Sequence, residues 1–210
     1  MPREGETARA ALVDAGERLF AVHGVETASL RDVAVAAGHR NNSAVQYHFG
    51  GRDGLAAAVY SRGMGPINRV RIGMLEQTGT DTVQGLVSVL LVPLANHVEE
   101  SAGWYGRFLA RNRFDRVARE VRDALPESEV LRQVTRRLGR LLDGVPPAVR
   151  AARMEQMVNH YVTSLASWEW ARDRGERKLS AADLRDDLVV TCTAMVGADL
   201  GTKSGHRRTR

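Results

Sequence analysis

The stretch from Ser29 to Leu55, SLRDVAVAAGHRNNSAVQYHFGGRDGL, constrains the fold more than any other part of the chain. Leu30, Val33, Ala34 and Ala37 stand three and four apart, which predicts a short helix with one buried stripe. Ser29 is placed to cap it, because its hydroxyl can accept from a backbone N–H that has no partner in the first turn. Asp32 follows three residues on, where a carboxylate suits the positive end of the helix dipole. Gly38 ends the helix, since glycine reaches the left-handed conformation without strain. Asn41 and Asn42 are capping residues for a second short helix that runs to Phe49 and buries Val45 and Phe49. Two short helices joined by a tight, Gly-containing turn predict a helix-turn-helix, whose second helix fits a DNA major groove.

Composition excludes several classes. The 210 residues contain 5% aromatics and one cysteine, Cys192, so an intrachain disulfide is impossible and a reducing, cytoplasmic setting is expected. No uninterrupted apolar run approaches the length of a membrane span, and MPREGETARAA lacks the apolar block of a signal peptide. The net charge of +5 says little about nucleic acid. Residues 1–60 hold six Arg against seven acids, a balance of −1, whereas residues 201–210 carry +4. Contact with DNA must rest on where individual groups point.

The remainder reads as helices throughout. Thr7–His23 is the first, with Leu12, Ala15, Leu19, Phe20 and Val22 inward and Gly24 as its stop. Arg3, in the polar start of the chain, reads most simply as solvated. A long helix starts at Arg52, and Gly63, Gly65 and Pro66 predict a bend or break in it, a candidate hinge. Residues 82–100 are so apolar that burial on more than one side is expected. Further helices are expected over 103–114, more weakly over 115–126, then over 127–142, from Pro146 to about Arg174, and from a cap at Ser180 to Leu200. The helix from Pro146 carries two apolar stripes, which suggests one face packed inside and the other against a partner.

The order of residues from about Leu12 to Leu55 resembles the DNA-binding head of the TetR/AcrR family of bacterial regulators. The matching elements are Val33-Ala34, Ala37-Gly38, Gln46-Tyr47-His48-Phe49 and Gly50-Gly51-Arg52-Asp53-Gly54-Leu55. The turn is one residue longer than in most relatives, His39-Arg40 replaces a usual apolar residue, and Gln46 stands where an aromatic is common. The resemblance implies an all-α fold with a helix-turn-helix head (1–55), a helical effector-binding and dimerisation body (56–200) and a disordered basic tail (201–210). The last two long helices would pair between subunits.

For the second short helix, Asn41, Asn42, Ser43 and Gln46 are candidates to read bases, Asn or Gln pairing two-fold with adenine. Ser29, Arg31, Tyr47, His48 and Arg52 occupy positions that the resemblance assigns to phosphate anchoring, and Arg40 suits either task. The bland reading of Asn41 or Asn42 is a helix cap, and of Tyr47 packing. In the body, Trp104, Tyr105, Phe108, Arg111, Asn112, Phe114, Met157, His160 and Tyr161 are candidates to line an effector cavity, with ordinary core packing as the alternative for each.

Catalysis finds no pattern. The six histidines are dispersed, no acids or thiol accompany them at metal-ligand spacing, and the glycines at 50–54 lack the phosphate-loop pattern. Neither a cofactor nor a metal is expected. Cys192 reads as a small core residue. The expected function is a homodimeric, ligand-responsive repressor, its partners a near-palindromic duplex, a small effector and a second copy of itself. The alternatives are an effector-independent regulator, which a body without a cavity would favour, and a helical enzyme or scaffold, which a buried 29–52 face would favour.

Overall fold

The computed structural model describes residues 4–198 other than 42, 78 and 102. Among these the chain forms ten helices and no strand: α1 (Glu4–His23), α2 (Leu30–Ala36), α3 (Ser43–Phe49), α4 (Arg52–Leu75), α5 (Val83–Glu100), α6 (Tyr105–Arg111), α7 (Arg116–Ala124), α8 (Ser128–Leu141), α9 (Pro147–Asp173) and α10 (Ala181–Gly197). The expected helix over 115–126 is α7. The readings at Arg3, Asn42, Leu200 and the tail fall outside the described residues.

The local chemistry of the head follows the sequence closely. Ser29 caps α2, its hydroxyl accepting from the Asp32 amide at 3.2 Å. At the other end Gly38 has φ +84°, and the amides of Gly38 and His39 reach back to Val35 and Ala34 at 3.0 and 2.8 Å. Those two bonds satisfy carbonyls that a bare helix end would leave open. Leu12, Phe20, Val33, Ala34, Val45 and Leu55 are all within 1% of complete burial and form the core of the head. Phe49 is only half-buried, with the guanidinium of Arg9 over its ring at 5.0 Å.

The body is organised on α5. Thr82 caps it, and Leu86, Val87, Val89, Leu90, Leu91, Pro93, Leu94, Ala95 and Val98 are buried against α4, α8, α9 and α10, so this helix is covered on several sides as its composition requires. Arg172 of α9 closes its far end, donating to the carbonyls of Val98 and Ser101 at 3.1 and 2.9 Å and of Gly103 at 3.1 Å.

The expected break in α4 is absent: the helix runs unbroken from Arg52 to Leu75 with Pro66 inside it. Pro66 is exposed, where water can satisfy the Arg62 carbonyl that loses its donor. Gly63 serves packing, not looseness. A Cβ there would stand 2.2 Å from the ring of Tyr105, so the missing side chain is what admits the α6 aromatic against α4. In the second apolar stripe of α9 (Val149, Ala152, Val162, Ala166 and Trp170), Val162 is buried, Val149 and Ala166 are half-buried, and Ala152 and Trp170 are exposed.

Candidate nucleic-acid interface and effector cavity

In the head, α2 and α3 present most of their polar residues to solvent. Ser29, Arg31, Arg40, Asn41, Ser43, Gln46 and Tyr47 are exposed, so this face is not buried against the body. Tyr47 is 85% exposed, an aromatic side chain with almost no packing on its own chain. Its ring stands nearly perpendicular to that of His48, at 5.0 Å between centroids. Asn41 Oδ1 accepts from the Ser43 amide at 3.0 Å and also from the Ser43 hydroxyl, so both side chains hold the start of α3 in place. Asn42 lies outside the described residues.

Arg52 is placed differently from the other anchors. Its Nη1 donates to the carbonyls of Val25 and Ala28 at 2.5 and 2.7 Å, pinning the start of α4 to the link before α2. That geometry makes Arg52 a brace for the motif. Arg9 on α1, unmarked by the sequence reading, is an exposed cation beside the end of α3. Proximity of α1 to Phe49 is a tertiary fact that no local motif signals.

A cavity of about 80 Å³ opens in the body between α4, α5, α6, α7, α8 and α9. Of the nine residues expected to line an effector site, Tyr161 faces it and the other eight are not among its wall residues. Tyr105, Phe108 and Met157 are core, at 1% exposure or less. Trp104 lies under the guanidinium of Arg107 at 3.5 Å. Phe114 is 70% exposed and His160 is exposed, so neither can wall an enclosed space. The wall instead uses Tyr60, Met64 and Arg71 of α4, Arg113 beyond α6, Arg122 of α7, and Leu94, Leu131 and Val158 among its apolar residues.

Residues 12–59 match the family model described as bacterial regulatory proteins, tetR family. That match spans most of α1, all of α2 and α3, and the start of α4. The whole chain has the fold of such regulators: a protein from Shewanella sp. PV-4 assigned to the tetR family of transcription regulators superposes with a TM-score of 0.61 at 12% identity, covering 88% of this chain and 95% of that one. The fatty acid degradation regulator FadR from Bacillus halodurans superposes at 0.55 with 16% identity, covering 90% and 98%. No curated protein matches the sequence. Residues 12–59 are thus similar to that family, and the chain shares the fold of these two solved structures.

The tetR-type head is joined to its body through a polar junction that the sequence reading assigned elsewhere. Asn112 is completely buried: its Oδ1 accepts from the Val25 amide at 2.7 Å, and its Nδ2 donates to Phe20 and Phe108 carbonyls at 3.0 and 2.8 Å. Arg111 donates to the His23 and Val22 carbonyls at 3.2 and 3.4 Å. Asp115 accepts from the Glu26 amide at 2.9 Å while its other oxygen caps α7. Glu17, buried on α1, accepts from the Trp104 amide at 2.6 Å and pairs with Arg62 of α4. Arg111 and Asn112, expected at a ligand, are therefore part of the clamp between the two parts. Asn112→Ala strands the Val25 N–H and the Phe20 carbonyl away from water and is expected to destabilise the protein by roughly 2–3 kcal/mol, read by denaturant unfolding.

Among the described residues no cluster of histidine, cysteine and acidic side chains is arranged to hold a metal, and no helix is long and apolar enough to cross a membrane. Cys192 is fully buried, and burial pushes its thiol up to about 11, which makes it a poor redox sensor.

Proposed function

We propose that this chain is a homodimeric repressor whose grip on a near-palindromic operator is released by a small effector bound in the body. The observation that carries the DNA part is the exposure of Tyr47 beside Gln46 on the second helix of a tetR-type motif. Arg31, Arg40, Ser29, Tyr47 and His48 would hold phosphates around it. Asn41, Ser43 and Gln46 would meet base edges, Asn42 beside them, and Arg52 would support the motif from behind.

Dimerisation through α9 and α10 is supported by an exposed row on each. On α9 it is Gln156, His160, Thr163, Ser167 and Trp170, and on α10 Asp183, Asp187, Val190, Ala194 and Gly197, both spaced four and three apart. Such spacing keeps one seam facing a neighbouring helix, and the small residues allow close approach. His160 then belongs to the interface. Two heads would lie about 34–36 Å apart on one face of the duplex.

Release is supported by the course of α4. Arg52 braces the reading motif at its start, and Tyr60 and Arg71 wall the cavity further along the same unbroken rod. Tyr60 lies about 12 Å along the axis from Arg52 at the helical rise. A ligand that prefers a wider spacing of the cavity walls would tilt this rod and draw the heads from register. A nearly complete switch requires a preference of about 5.5 kcal/mol between the two states.

Selection of binding sites from random duplexes, repeated with cell extract as a source of effector, tests the proposal. One enriched inverted repeat, lost with extract, is the expected outcome; no enrichment at low salt contradicts it. On the selected site, Arg31→Ala should weaken all sequences alike and lower the salt slope by about one. Gln46→Ala should relax preference at one base pair, at a cost of about 1–3 kcal/mol.

A further inference from the structure

We propose that the body cavity takes a small apolar carboxylate, whose head group pairs with Arg71. The inference deepens the reading of an effector site, but the binding it describes does not depend on DNA. Arg71 is 2% exposed, and a guanidinium at that depth ordinarily requires an anionic partner. Here it has neutral ones alone among the described residues: Nη1 donates to Asn68 Oδ1 at 3.1 Å, Nη2 to the Leu90 carbonyl at 2.6 Å, and Met64 Sδ lies at 3.8 Å. Its Nε, also buried, has no partner. The chain has therefore placed a cation on the cavity wall with a donor left over.

No side chain nearby supplies the missing charge. The ionisable groups that act on the charge of Arg71 are the phenols of Tyr161 and Tyr105, which burial pushes upward, so both are neutral at physiological pH. Arg113 and Arg122 share the wall, adding positive charge. Arg113 bonds to Asn159, a neutral amide, while Arg122 pairs with Asp123. Glu127 is the wall's one acidic residue. Its backbone carbonyl is taken by Asn68 at 2.7 Å.

Most of the rest of the wall is apolar, including Met64, Leu94, Leu109, Leu131 and Val158, with Ser128 and Tyr60 beside them. A site with a deep cation that lacks an anionic partner, two further arginines and a largely apolar remainder fits a molecule of the same division: an anionic end and an apolar body. A carboxylate presents two oxygens to a guanidinium in plane, using the free Nε–H in a way that a neutral hydroxyl does not.

Calorimetric titration of the full-length protein with octanoate, 1-octanol and octylamine tests this. Octanoate is expected to bind about tenfold or more tighter than octanol, with octylamine weakest. In Arg71→Met the octanoate advantage should fall to about one while octanol still binds. Equal binding of acid and alcohol, tighter binding of the amine, or an advantage that survives the substitution would overturn the proposal. So would failure of every straight-chain acid from hexanoate to dodecanoate to bind. Should Arg71→Met not fold, the wild-type ranking decides alone, and Arg71→Lys, which keeps the charge but loses the planar fork, should retain part of the acid preference. Octanoate that binds at Arg71 without releasing operator DNA would leave this site standing and remove the effector-responsive reading. Release without the Arg71 dependence would do the reverse.

Discussion

Gly54→Ala is expected to abolish specific DNA binding and to destabilise the head by about 4 kcal/mol or more, at the extreme end of single substitutions. The cause is a direct collision. A Cβ on Gly54 would lie 1.8 Å from the carbonyl oxygen of Phe49 and 2.9 Å from its carbon. Backbone cannot rotate out of the way as a flexible side chain would, so α3 must move from α4. That contact fixes the reading helix, because α3 ends at Phe49 and α4 begins at Arg52, with Gly50 and Gly51 at φ +70° and +126° between them. Circular dichroism should show the body helices retained, and a gel shift with the selected duplex should show binding lost. Wild-type affinity in this variant would mean that the α3–α4 approach is not needed to hold the interface.

The second large effect is expected in the body. Glu169 of α9 is completely buried, and its carboxylate accepts from the amides of Gly106 and Arg107 at 3.2 and 2.9 Å and from Arg107 Nε at 3.1 Å. It thus holds the first turn of α6, where unpaired amides and the helix dipole favour a negative charge. Glu169→Ala leaves two buried amides and a largely buried guanidinium short of a partner, and is expected to cost about 3–5 kcal/mol. Glu169→Gln keeps one acceptor and should cost less.

The two variants also separate by pH. Burial, the largest influence, holds the Glu169 carboxyl above its usual value in spite of the donors around it. A raised carboxyl stabilises most below its unfolded value of about 4.3 and loses that contribution as pH rises through the folded value. The stability gap between wild type and Glu169→Gln should therefore narrow from acid toward neutral pH. A gap that widens over the same range would show that the ion pair with Arg107 outweighs burial.

What the sequence made legible was local. Ser29, Gly38 and Ser180 act through bonds a few residues long, and each does at its helix end what its side chain or missing Cβ requires. The helix-turn-helix could be read because its caps and apolar spacing all lie within one short stretch. The body site was different. Phe114, His160 and Trp104 have the composition of a pocket wall, but membership depends on which way α6 and α9 turn, and that is settled by packing between helices distant in sequence.

Arg71 shows the signal that was present. Tyr60, Met64, Ile67 and Arg71 fall at helical spacing, so an arginine continues a row whose other members face inward. A cation in such a row is a stronger pointer to a ligand than an aromatic, because packing alone does not account for it. Gly63 carries the opposite lesson. Beside Gly65 and Pro66 it suggests a flexible joint, yet its role is to admit the ring of Tyr105 from another helix.

Hydroxyl-radical footprinting of the selected duplex reads out how the two heads sit on DNA. Two protected patches on one face, about 34–36 Å apart, are expected with the wild-type protein. Both should fade together in Tyr47→Ala while the fold persists. A single patch, uniform protection along the duplex, or a pattern indifferent to Tyr47 would contradict the account.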